Sequence, residues 1–132
     1  MSLKNFQPLF DAKDFNFYSL QFGERNQDII SFGFTDVLKS LEEDLDGFWA
    51  TALVLKKLDL IISVDTSTAH LAGALGKPVW NLLSFVPDWR WMLDREDSPW
   101  YPSMRLFRQN TPGDWLSVIK DVKYALENEF PN

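Results

Sequence analysis

A chain of 132 residues carries material for one domain rather than two. Its hydrophobic fraction of 45% supplies a core, and its charged fraction of 24% argues against intrinsic disorder. A net charge of −6 speaks against a nucleic-acid binder, which normally shows a basic face. The absence of cysteine excludes a disulfide framework, a thiolate metal site and a cysteine nucleophile, and it fits a reducing compartment.

Eleven Phe and six Trp are more large rings than one core of this size hides, so some are expected at a cleft or a partner surface. Residues 1–76 carry six basic and eleven acidic side chains, whereas residues 77–108 carry five basic and four acidic ones. That locally basic stretch suits a small anion or, equally, a solvated face of mixed charge. No apolar run approaches the roughly 18–20 residues that span a bilayer, and the start lacks an apolar leader. A cytoplasmic location is therefore expected.

In chain order, residues 1–14 read as a loose lead-in and residues 15–132 as the domain. Phe15 to Leu20 reads as a strand, Gly23 to Asp28 as a polar loop, and Ile29 to Phe32 as a second short strand. Leu41, Leu45, Phe48, Ala52 and Leu55 recur at helical spacing, and the Gly47 interruption allows the helix to begin only there. Leu60 to Val64 is a continuous, β-branched run of the kind buried in a parallel sheet. Small polar residues follow it at once, then an Ala/Leu/Gly helix that ends at Gly76 with Pro78 beyond. Val79 to Leu83 and Met104 to Arg108 read as further strands, separated by a loop at 84–103 rich in Trp, Pro and charge. Thr111 to Asp114 opens a last helix with Trp115, Val118, Ile119, Val122 and Leu126 on its inner stripe. The alternation predicts an α/β fold with a doubly wound, mostly parallel, Rossmann-like sheet.

In such a sheet ligands bind beyond the carboxyl ends of the strands, where Asp65 sits. Thr66, Ser67 and Thr68 would occupy the first turn of the next helix, whose free N–H groups and dipole favour a phosphate. Asp65 would repel a phosphate but suits the hydroxyls of a sugar. A helix cap explains Asp65 or Thr66 equally well. His70, the sole histidine, falls one turn along the same helix; it suits either a phosphate oxygen or a structural hydrogen bond. Ala69, Ala72, Gly73 and Ala74 need only close helix packing. In the loop, Arg90 and Arg95 suit a ligand or a partner, while Trp91 and Trp100 read rather as packing residues. No glycine-rich phosphate loop, nucleophile elbow, metal-spaced histidine set or dinucleotide fingerprint is present.

The run Asp59-Leu60-Ile61-Ile62-Ser63-Val64-Asp65-Thr66, followed by Ala69-His70-Leu71-Ala72-Gly73-Ala74-Leu75-Gly76-Lys77-Pro78, resembles the signature of glycosyltransferase family 9, the heptosyltransferase-like enzymes. The Pro87–Trp91, Arg95–Pro102 and Leu106–Gln109 segments resemble the bacterial branch in which this domain follows tetratricopeptide repeats. The resemblance covers residues 15–127. It implies the carboxy-terminal half of a GT-B glycosyltransferase, inverting and metal-independent, transferring a hexosyl or heptosyl group. The donor substrate is a nucleotide-diphosphate-sugar, with no further cofactor and no metal. Asp65 is expected at the donor sugar and Thr66 with its turn at the diphosphate; no catalytic residue is assigned. Ser67 departs from the glycine that often follows Asp-Thr in the family. The amino-terminal acceptor domain, which usually supplies the base, is absent, so the chain alone is expected to be inactive and to need that domain or a partner chain. A non-catalytic binding or interaction module is the alternative, with a homo-oligomer joined through exposed aromatics as a further option.

Overall fold

A computed structural model describes residues 1–21, 23–87, 89–92 and 95–130. Asp88, in the expected loop motif, and residues 131–132, at the end of the expected domain, lie outside the described residues. The chain divides into two units, Met1–Thr51 with Ile119–Asn132, and Ala52–Val118.

In the first unit the expected lead-in is ordered. Leu3–Asp11 forms a 3-10 helix, started by a capping box in which Ser2 and Asn5 bond each other's ends, and it buries Leu3 and Leu9. Strand β1, Phe17–Ser19, pairs in parallel with β2, Leu38–Ser40, with Phe17 opposite Leu38. Between them Asp28–Ser31 forms the short helix α1 where a second strand was expected. Ile29 is buried while Ile30 is 73% exposed, and Gly33 at φ +74° turns the chain so that Phe34 N–H reaches Ile29 O at 2.8 Å. Phe32 N–H donates to Asp28 O at 2.9 Å, the four-residue bond of a helical turn, so the short Ile-Ile run is not a strand. Leu3, Ile29, Phe34 and Leu38 form a core cluster with Phe6, Phe10 and Phe17 against it.

Helix α2, Phe48–Lys57, starts where the Gly47 interruption allows, and Ala52 and Leu55 are its buried residues. In the second unit Ile61–Val64 is β3, Ser67–Ala74 is α3, Val79–Leu83 is β4 and Met104–Arg108 is β5. They form a parallel sheet of order β3-β4-β5. All five residues of the central β4 are buried, as its apolar run requires. The Arg105 guanidinium lies 5.8 Å from the Trp80 ring centroid and 4.7 Å from that of Phe107, covering the aromatics with its cation. Helix α4, Trp115–Asn128, opens where Asp114 accepts from Ser117 N–H at 3.1 Å; Val118, Ile119, Val122 and Leu126 of the expected stripe are buried. No helix among the described residues is long and apolar enough to cross a membrane.

The α/β alternation stands, but the doubly wound Rossmann-like sheet of a GT-B half does not. Among the described residues the strands form two short parallel sheets, of two and three strands. The order β3-β4-β5 runs sequentially, with no reversal to create the switch-point crevice of a doubly wound fold. The β3–β4 crossover carries α3, whereas among the described residues of the β4–β5 connection the helical element is a 3-10 turn at Trp89–Trp91. Strands and helices do alternate along most of the chain, but alternation does not specify which strands become neighbours.

Asn81 stands out in β4. Its side chain is fully buried, its amide nitrogen contacts Met104 Sδ at 3.7 Å, and its Oδ1 has no hydrogen-bond partner among the described residues. An unsatisfied buried acceptor costs about 1–3 kcal/mol. Asn81→Leu is therefore expected to raise the unfolding free energy by on the order of 1 kcal/mol after some repacking strain, read as a higher urea midpoint; a lower midpoint would mean that the amide is used.

Candidate functional site

The candidate site begins where β3 ends. Thr66 has the extended backbone of a helix cap (φ −141°, ψ 168°), and its Oγ1 accepts from Ala69 N–H at 3.4 Å. Ser63 O–H donates to Val64 O at 2.8 Å, which leaves Thr66 O–H to donate to Ser63 Oγ at 2.9 Å. The Thr66 hydroxyl is thus a cap held by β3 itself. Ser67 is exposed and Thr68 half-buried in the first turn of α3. Thr66→Ala is expected to cost about 1 kcal/mol in chemical denaturation and Thr66→Ser only a few tenths; equal losses would count against the cap.

Asp65 is held from two sides. Its Oδ2 accepts from the indole N–H of Trp91 at 2.9 Å, and its Oδ1 lies 3.2 Å from His70 Nε2. Trp91 is fully buried, and its ring stacks on the His70 imidazole with centroids 5.4 Å apart. The other imidazole nitrogen, Nδ1, meets Tyr101 OH at 3.1 Å. Tyr101 is fixed in turn by Gly73: a β-carbon there would come within 2.7 Å of the Tyr101 ring. Gly73 therefore serves the loop as well as close packing, a contact that local spacing could not reveal. Arg90 NH1 completes the group at 3.2 Å from His70 Nε2.

The loop carrying these groups is pinned at several points. Trp100 Nε1 donates to Arg90 O at 2.8 Å, Arg108 Nε donates to Arg95 O at 2.9 Å, and Arg108 also donates to Trp91 O. Trp91 packs as expected, whereas Trp100 is 53% exposed. Arg95 is committed to Asp97, with Nε and NH2 donating to the two carboxylate oxygens at 2.7 and 2.8 Å. Those hydrogen bonds hold the Asp97 carboxyl below its usual value, and the Arg95 charge adds to the effect. A depressed carboxyl contributes fully above its unfolded value and loses its contribution as acid protonates it. The pair is accordingly intact at neutral pH and weakens in acid.

The structure thus gathers Asp65, His70 and Arg90 at the end of β3, beside the first turn of α3 that holds Thr66, Ser67 and Thr68. It gives Arg95 a carboxylate partner. Tyr101 and the hydrogen-bonding role of Trp91 were not foreseen, since 31 residues separate His70 from Tyr101 and 26 separate Asp65 from Trp91. Chemically the cluster offers a partly exposed carboxylate with spare lone pairs, a guanidinium and an imidazole. Among the described residues no group of three or more acidic or histidine side chains is placed to hold a metal ion.

No protein-family model matches the chain, and no solved structure matches it. Over 88 residues it is 35% identical to Protein FlbA of Caulobacter vibrioides, a stretch covering 67% of this chain. The match takes in only 14% of FlbA, so this chain is similar to one segment of a much longer protein.

Proposed function

We propose that the second unit binds a nucleotide-diphosphate-sugar as the donor half of an inverting, metal-independent glycosyltransferase. One observation carries the reading: Asp65, at the carboxyl end of β3, stands beside a guanidinium and an imidazole at the start of α3. The carboxylate suits the donor sugar's hydroxyls, while Arg90, His70 and the Thr66–Thr68 turn suit the diphosphate. In the reaction an acceptor hydroxyl attacks the anomeric carbon; a new C–O bond forms and the bond to the diphosphate oxygen breaks. The diphosphate leaves with the electron pair, and the hydroxyl proton passes to a base on the acceptor side. That base, and the acceptor site, belong to an amino-terminal domain or partner chain in this reading, so the chain alone turns over no donor. Nucleic acid has no place in it, given a net charge of −6. A cytoplasmic setting accords with the absence of cysteine.

Titration calorimetry with a panel of nucleoside diphosphates and their sugar conjugates tests the proposal on the wild type, Asp65→Ala and Thr66→Ala. Binding that neither substitution alters would remove the proposed donor site, and donor hydrolysis by the purified chain would overturn the need for an acceptor-side partner.

A second reading has its own support. Asp65 Oδ2 and the Thr66 hydroxyl are already bonded within the protein, Asp65 Oδ1 lies 3.2 Å from His70 Nε2, and α2 exposes Phe48, Trp49 and Leu53. A non-catalytic interaction module would look like this. It predicts no affinity for any nucleotide in the panel.

A further inference from the structure

His70 Nε2 has one in-plane position for a proton or a lone pair, yet two partners of opposite kind stand at the same distance. Asp65 Oδ1, 3.2 Å away, can only accept; Arg90 NH1, also 3.2 Å away, can only donate. Tyr101 OH beside Nδ1 can do either, so it permits both tautomers. The ring itself is held by the Trp91 stack and by Tyr101, which Gly73 seats in turn. The neutral imidazole therefore has two states. In one, Nδ1–H donates to Tyr101 and Arg90 donates to Nε2. In the other, Tyr101 donates to Nδ1 and Nε2–H donates to Asp65.

We infer that Arg90 is a positioning residue that sets the His70 tautomer, and that when a diphosphate engages Arg90 the single ring proton exchanges through solvent from Nδ1 to Nε2, where Nε2–H donates to Asp65 Oδ1. With Arg90 on the imidazole, Asp65 Oδ1 lacks its histidine donor. With Arg90 drawn to an anion, His70 anchors Asp65 from one side while Trp91 anchors it from the other. The carboxylate is then fixed when the sugar's leaving group is bound. The identity of the anion rests on the donor-site reading; the coupling between Arg90 and His70 does not.

The chain has a single histidine, so selective nitrogen-15 labelling reports this ring alone. Long-range proton–nitrogen spectra in mildly alkaline buffer distinguish the tautomers. Wild type is expected to show Nδ1–H, and Arg90→Gln to show Nε2–H with no ligand added. Arg90→Lys, which keeps a cationic donor, is expected to retain the wild-type pattern. Saturating inorganic pyrophosphate is expected to move wild type towards the Arg90→Gln spectrum. An Arg90→Gln spectrum identical to wild type would overturn the coupling, and so would bound pyrophosphate that leaves the wild-type tautomer unchanged. Failure of pyrophosphate and sugar nucleotides to bind, with the Arg90→Gln shift present, would remove the donor-site reading and uphold the coupling.

Discussion

Trp91→Ala is expected to lower stability by about 3–5 kcal/mol, the usual cost of emptying a buried aromatic site. Trp91 has no exposed surface, although it sits in a 3-10 turn of a loop. Its removal takes away a buried ring, the stack on His70 and the indole donor to Asp65 together. Trp91→Phe separates these contributions. It keeps most of the ring and loses the N–H···carboxylate bond, worth about 1 kcal/mol beside a partly solvated acceptor. Urea unfolding followed by far-ultraviolet circular dichroism checks both variants. A Trp91→Ala loss below about 1 kcal/mol would mean that the site collapses freely around the gap, which its many fixed neighbours oppose.

Asp65→Ala is expected to weaken nucleotide-diphosphate-sugar binding by roughly 10- to 100-fold. Hydrogen bonds to a charged group contribute about 1.5–3 kcal/mol, and each 1.4 kcal/mol is about a factor of ten. The matching nucleoside diphosphate without its sugar is expected to bind as well or better, because a carboxylate beside a phosphate is repulsive. This divergence separates a sugar-recognising carboxylate from a structural one. Asp65→Ala also removes the bond from Trp91 and the contact with His70, so a general loosening of the site would weaken both ligands in parallel. Calorimetry on the pair of ligands decides between the outcomes. Parallel losses would assign Asp65 to holding the loop.

Local pattern was a good guide where one segment's chemistry settles its conformation. The continuous runs at 61–64, 79–83 and 104–108 became β3, β4 and β5, and Thr66 became the cap of α3. Gly47 marked the start of α2 and Asp114 that of α4. Pattern misled where few residues carried the signal. Ile29-Ile30 is as compatible with one helical turn as with a strand, and Leu38-Lys39-Ser40 carries almost no β signature of its own. The opening segment looked loose because few of its side chains, Leu3, Leu9 and Ala12, are buried.

The candidate site divides along the same line. The order of residues alone determined that an acidic side chain, three hydroxyls and a histidine follow a strand, since a β-branched run and a helix start are local events; that β3 lies at the sheet edge with only Ile61 buried was not legible in it. Which groups meet Asp65 was settled only in three dimensions. Trp91, Arg90 and Tyr101 reach it and His70 through a loop whose course depends on the Arg108 and Trp100 bonds and on the space left at Gly73. The division into two short sheets was likewise beyond local pattern, because strand neighbours are chosen by the whole chain's packing and not by any segment's propensity.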